Sequence, residues 1–330
     1  MSCPACGGDL PDSALACPQC RRLIHTQRLE GLAARAKEAW RLGHFAEERA
    51  LWAESLALLP EDTLQHRTIG ARVAEIDGMM GAAHGTSHEG WKKTSMGAGP
   101  ILLLLLSKGK FLLLGLTKLS TLVTMFLSIG VYWAVYGWAL AAGVVISIYI
   151  HEMGHVAMIR RYGFPASAPM FIPGLGAFIQ LRGVRLPPIP DARIGLAGPV
   201  YGLCAAAAAL GAYYVTGVKA WGVIAHFGAW INLFNLIPVW QLDGSRGLRS
   251  LSRFERTVVL VAAGTLWLLA GNPMLALIAL GCTYRLFTPD WQSEPDRPGM
   301  IRFLILLASL AAIVALSAGS AAVSPTANSR

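Results

Sequence analysis

Six long apolar runs in the later part of the chain limit its fold more than any other feature. Residues 119–137, 138–159, 194–218, 220–242, 257–284 and 303–329 each have the length and apolarity to cross a bilayer core of roughly 30 Å as a helix. Hydrophobic residues make up 54% of the 330 and charged residues 14%, against about 25% charged in typical soluble chains. A purely soluble enzyme, a disordered chain and a secreted disulfide scaffold are thereby excluded. The expected fold is mainly α, a polytopic transmembrane bundle, and residues 1–97 form a polar N-terminal appendage.

Loop charges set the orientation. Arg160, Arg161, Arg182, Arg185 and Arg193 follow the second run, and Arg246, Arg249, Arg253 and Arg256 follow the fourth. Short loops rich in Lys and Arg stay in the cytosol, which places the polar N-terminus there too. The run 257–284 is interrupted at Gly271-Asn272-Pro273. A hairpin of two short helices there keeps Arg285, Arg297 and Arg302 inside, for about six to seven crossings. Residues 101–117 are broken by Lys108 and Lys110 and read as an interfacial or re-entrant segment. The net charge is +9, but no basic stripe lies on a folded element, so nucleic acid is not an expected partner.

The N-terminal region divides into three parts. Within 1–25, the expected zinc ribbon, Cys3-Pro-Ala-Cys6 and Cys17-Pro-Gln-Cys20 have the spacing of a tetrahedral thiolate site. So short a segment cannot bury a useful core, so a structural Zn²⁺ would supply its folding energy. Four thiolates leave no open position for chemistry. Residues 28–80 read as a helical hairpin. Gly43, Phe45, Trp52, Leu56, Leu58 and Pro60 follow part of a tetratricopeptide pattern, with Glu48 where a small residue is usual. Contact with a cytosolic protein partner is the expected task. Residues 81–100 read as a flexible linker with solvated histidines at His84 and His88.

The chemistry sits in 101–330. The second run contains His151-Glu152-Met153-Gly154-His155. Residues i and i+4 share a helix face, so both imidazoles can hold one metal ion, and Glu152 can act as general base toward water activated by that ion. Two histidines and a glutamate in an apolar helix are costly unless paired or metal-bound. The step from His151 to Arg160 is about 13 Å at 1.5 Å per residue, so the metal would lie within the bilayer toward the cytosol. Two ligands leave a zinc site one short. Asp243 follows Asn232-Leu-Phe-Asn235-Leu-Ile-Pro238 and precedes Gly244. Pro238 should end the helix, and unwinding there would return Asp243 toward the histidines as a third ligand.

With those residues in view, 119–250 resembles the site-2 protease family of intramembrane zinc metalloproteases. The resemblance rests on His151-Glu152-Met-Gly-His155 and on Asn235, Pro238, Leu242-Asp243-Gly244, in that order and orientation. It implies a catalytic zinc on His151, His155 and Asp243, with Glu152 as base. It also implies a helical membrane bundle with a short membrane-associated β-hairpin, and transmembrane protein substrates cut near the cytosolic face. The fused ribbon and repeat resemble a bacterial variation, which points to an inner membrane. Met170–Ile172 and 177–181 are expected as hairpin strands, able to hold an unwound substrate by β-addition. The family commonly places an Asn where Gly202 stands here. Asn232 and Asn235 are the expected replacements, orienting substrate backbone or an oxyanion, with interhelical hydrogen bonding as the competing role.

Other residues have structural readings. His226 is expected to be a satisfied core histidine. Trp133, Trp138, Trp221 and Trp240 read as interfacial anchors, and Cys204 and Cys282 as buried lone thiols. Two further functions fit the same motifs. One is a degenerate protease that binds transmembrane helices without cutting them. The other is a zinc or ion transporter. The presence of all four reactive residues weighs against the first. The Glu beside the first His weighs against the second.

Overall fold

The computed structural model describes residues 2–11, 14–81, 133, 137–164, 170–172, 176–178 and 186–321, and these are mainly helical. Most of the expected linker, the re-entrant segment and most of the first crossing lie outside them. The chain divides into two compact units. One comprises Met1–Ser87, Tyr162–Pro165 and Val184–Pro190; the other comprises His88–Arg161, Ala166–Gly183 and Asp191–Arg330.

The first unit begins with two matching cysteine knuckles. The Gly7 N–H donates to the Cys3 carbonyl and the Arg21 N–H to the Cys17 carbonyl. Gly7 (φ +74°) and Arg21 (φ +56°) both take the left-handed conformation that closes the turn. Three helices follow rather than a hairpin: α1 (Thr26–Leu42), α2 (Phe45–Leu56) and α3 (Leu64–Gly81). Gly43 ends α1 in the left-handed region, as helix C-termini favour. Leu32, Ala36 and Ala39 on α1 pack against Leu51 of α2, with Trp52 and Leu58 at the edge.

Glu48 has a positive reason to stand where a small residue is usual. Its Oε1 accepts from Arg72 Nε (2.9 Å) and Trp52 Nε1 (3.2 Å), joining α3 to α2. The Arg72 guanidinium also lies 4.4 Å from the centre of the Trp40 ring, a cation–π contact. Phe45, at the start of α2, meets Phe164 and Tyr162 edge-on at 5.0 and 6.2 Å between ring centres. The unit therefore includes the residues that directly follow Arg161.

The second unit contains α4 (Trp138–Arg161), strands β1 (Met170–Ile172) and β2 (Gly176–Phe178), α5 (Pro188–Thr216), α6 (Lys219–Asn235), α7 (Asp243–Leu248), α8 (Arg253–Ala270), α9 (Pro273–Leu286) and α10 (Arg297–Ala321). The strands pair antiparallel, Phe171 opposite Ala177. The second strand starts one residue earlier than its sequence suggests. Among the described residues three helices are long and apolar enough to cross a membrane: Ala141–Arg161, Pro188–Thr216 and Arg297–Ser320.

The run 220–242 is one helix only as far as Asn235 and then unwinds before Asp243. The run 257–284 breaks at Gly271, with Asn272 capping α9 through the Met274 N–H and Pro273 in its first turn. Such a junction is what Gly-Asn-Pro encodes. Leu233, Leu248, Leu275, Ile278 and Phe303 are fully buried where α6 to α10 meet. The Arg256 side chain is fully buried beside them. It donates to the carbonyls of Leu248, Arg285 and Asp290 and to the Asp290 carboxylate, and so ties the end of α7 to the end of α9.

Candidate metal centre

Among the described residues two groups of side chains have ligand atoms close enough to share one ion: Cys3, Cys6, Cys17 and Cys20, and His151, His155 and Asp243. In the cysteine group the sulfurs of Cys3 and Cys20 are 3.8 Å apart, and those of Cys6 and Cys17 are 3.6 Å apart. A disulfide needs about 2.05 Å. Tetrahedral zinc thiolates with 2.3 Å bonds are separated by about 3.8 Å. Backbone N–H groups within each knuckle favour the thiolate; at Cys6 that of Gly8 is outweighed by the sulfurs of Cys20 and Cys17, which push the thiol up to about 12. The N–H groups of Ala5 and Cys6 hold the Cys3 thiol below its ordinary value. The N–H of Cys20, helped by that of Gln19 and opposed by burial, brings Cys17 down to about 6.

The second group takes its ligands from two helices of one unit. Helix α4 carries His151, Glu152 and His155, all buried. The i, i+4 spacing brings the two Nε2 atoms to 3.1 Å. Asp243 is the first residue of α7, and its Oδ2 lies 3.1 Å from His151 Nε2 and 3.3 Å from His155 Nε2. The return of Asp243 depends on the unwound stretch after Asn235. A Cβ on Gly244 would run into the Leu236 carbonyl, so the residue after Asp243 is glycine for want of space. Helix α5 passes equally close. A Cβ on Gly198 would strike His155 Nε2, and one on Gly154 would strike the Ala197 carbonyl.

Each imidazole is held from behind. His155 Nδ1 is 2.8 Å from the Ile194 carbonyl, an acceptor that requires a proton on Nδ1. His151 Nδ1 is 2.8 Å from Asn232 Oδ1, while Asn232 Nδ2 donates to the Gly228 carbonyl. That donation fixes the amide orientation, so His151 Nδ1 also carries its proton. Both Nε2 atoms then present bare lone pairs to each other and to a carboxylate oxygen. Three such atoms repel unless a metal ion or an added proton lies among them. Their separations of 3.1, 3.1 and 3.3 Å match the edge of a zinc tetrahedron with 2.0–2.1 Å bonds, about 3.3 Å. The residues fit zinc, with the fourth position open for chemistry.

Several contributors had no clear sequence signal. Asp191, at the start of α5, receives Arg246 Nη2 (2.8 Å) and Arg249 Nη1 (2.6 Å), which fastens the helix that begins at Asp243. The Ile194 carbonyl is backbone and has no side-chain signature. Asn232 takes the competing role, interhelical hydrogen bonding: both ends of its amide are engaged inside the protein and the residue is 2% exposed. Asn235, half-buried at the end of α6, stays open to that role. His226 Nδ1 bonds to Ser317 Oγ (3.2 Å), between α6 and α10. Cys282 is buried as expected, whereas Cys204 is exposed on its helix.

Two histidines on a helix long and apolar enough to cross a membrane, joined by a carboxylate at the start of the short helix α7, define a class: membrane proteins built like zinc hydrolases. Residues 139–225, about a quarter of the chain, match the model of peptidase family M50; the match includes His151-Glu152-Met-Gly-His155 and ends before Asp243. A curated zinc metalloprotease of Methanocaldococcus jannaschii is 26% identical over 127 residues, which are 37% of this chain and 35% of the relative. The chain thus spans about a third of the length of that relative. No solved structure matches.

Proposed function

We propose that the chain is an intramembrane zinc endopeptidase that hydrolyses peptide bonds in or near transmembrane segments of membrane proteins. The observation that carries this reading is the convergence of His151, His155 and Asp243, with Glu152 beside them in the same buried helix. A zinc ion held by those three supplies the Lewis acidity that makes water nucleophilic near neutral pH. His151 and His155 donate their Nδ1 protons in hydrogen bonds to Asn232 Oδ1 and the Ile194 carbonyl, which leaves Nε2 of each as the atom that would hold the ion. Glu152 takes the proton of the attacking water and passes it to the leaving amine. Asn235 orients the substrate backbone. The β1–β2 pair holds the unwound segment by strand addition, because a helical carbonyl is shielded and already hydrogen-bonded.

On this reading one ion is catalytic and a second, on the four cysteines, is structural. The protein crosses a bacterial inner membrane about six to seven times with its N-terminus in the cytosol, where the ribbon and helices α1–α3 contact a cytosolic partner. The test is cleavage of a membrane-inserted reporter helix by purified protein in liposomes. Glu152→Gln is expected to retain both ions and lose about 10²–10⁴-fold in rate. Full-rate cleavage by that variant would contradict the assigned mechanism.

A further inference from the structure

We propose that Asn232 is a positioning residue that commits His151 to metal binding, and that Gly202 is the space its amide requires. The proposal deepens the reading above and rests on it for the use of the site, but not for the geometry.

An imidazole can place its single neutral proton on either nitrogen, and only an unprotonated Nε2 can serve this ion site. Nothing on α4 itself decides between the two for His151. The decision comes from α6. The Gly228 carbonyl accepts from Asn232 Nδ2 at 2.8 Å, one turn back on the same helix. The amide cannot turn over without setting its oxygen against that carbonyl. Asn232 Oδ1 therefore stays directed at His151 Nδ1, 2.8 Å away. A leucine would fill a similar volume and leave the His151 proton free to move to Nε2, where it blocks the ion. His155 needs no such side chain, because the Ile194 carbonyl performs the same task from α5.

The amide lies tight against α5. A Cβ built on Gly202 would run into Oδ1, Nδ2 and Cγ of Asn232 at once. Gly202 sits in the interior of α5 at an ordinary helical φ, so backbone freedom does not explain a residue that is destabilising in a helix by about 0.5–1 kcal/mol relative to Ala. The space does. Gly202→Ala removes no polar group, yet it has to push the Asn232 amide off His151.

The experiment uses the full-length protein in detergent and reads Co²⁺ and Zn²⁺ binding against competing chelators. Only the cysteine site gives thiolate-to-cobalt charge transfer, so the two ions are read separately and the ribbon ion is an internal control. Asn232→Leu and Gly202→Ala should each weaken the membrane-site ion by about 10–100-fold, the range for loss of a group behind a ligating histidine. The ribbon ion should be unchanged. Asn232→Asp keeps an acceptor for Nδ1–H but loses the donor to the Gly228 carbonyl, so it should hold the membrane-site ion less tightly than the wild type and more tightly than Asn232→Leu. A role confined to helix packing would lower the unfolding temperature of Asn232→Leu and leave its membrane-site affinity unchanged; that result overturns the proposal. If Asn232→Leu does not fold, the Gly202→Ala affinity decides alone, and a wild-type value overturns it. Wild-type protein that binds the second ion but cleaves nothing would defeat the protease reading without touching this one.

Discussion

The two candidate ion sites among the described residues solve one coordination problem in opposite ways. The cysteine site takes all its ligands from one short segment, Cys3 to Cys20, and two of its four residues are exposed. The membrane site takes three buried ligands from two helices, and two more elements hold those ligands from behind. The first arrangement has little structure to fall back on, so the ion is part of the fold. The second lies among helices that share a large apolar core, and three ligands there leave a fourth coordination position to a substrate. An ion that makes a fold and an ion that does chemistry therefore leave different traces in the surrounding packing.

That contrast can be broken most severely at the ribbon. Cys6→Ser with Cys20→Ser should unfold 1–25, because apparent zinc binding in such sites is worth about 10–16 kcal/mol. The membrane-site ion should stay bound; loss of both ions together would show that the sites are not independent. The matching change in the membrane, His151→Ala, should remove its ion while helicity by circular dichroism is preserved. If the bundle melts instead, the site is as structural as the ribbon.

A smaller effect is expected at Phe45, which is buried against Phe164 and Tyr162. Phe45→Ala should cost the first unit about 3 kcal/mol or more, the range for a buried aromatic, seen as early melting of α1–α3. Asp290→Ala should be milder. It leaves the buried Arg256 with carbonyl partners but no counter-charge, and Asp290 is itself half-exposed. A loss of about 1–3 kcal/mol is expected. Burial raises the Asp290 carboxyl, but bonds from Thr288 and Arg256 outweigh it and hold the group below its ordinary value. Its contribution is therefore present above the ordinary carboxylate range and fades as the pH falls through the depressed value; heat-unfolding curves at several pH values would show this. The smallest change is a gain. Arg21 occupies the left-handed position that Gly7 fills in the other knuckle, so Arg21→Gly should stabilise the ribbon by about 0.5–1 kcal/mol, the strain relieved minus the entropy of glycine.

What could be read from the sequence was whatever local geometry controls. Spacings of i, i+4 and Cys-x-x-Cys are properties of a helix turn and a tight knuckle, so they identify ligand sets before any packing is known. Pro238 and Gly244 announced the unwinding that returns Asp243, and Gly271-Asn272-Pro273 announced the break between α8 and α9. What depended on helix rotation was not legible. Asn232 and Asn235 differ by three residues on one helix, and only the packing of α6 against α4 and α5 makes the first a partner of His151. The exposed Cys204 and the buried Cys282 sit in equally apolar sequences, because a lipid-facing helix surface and a protein-facing one use the same residues. Asp191 was hidden for a further reason: an acid near loop arginines is common, and its grip on Arg246 and Arg249 depends on where α7 starts.

Zinc content tests the central claim most directly, measured on detergent-purified wild type and on a variant with Cys3, Cys6, Cys17 and Cys20 all changed to Ser. Two ions per chain falling to one is the expected result, placing the remaining ion at His151, His155 and Asp243. One ion falling to none would contradict a metal site in the membrane unit, and with it the hydrolytic chemistry assigned to Glu152.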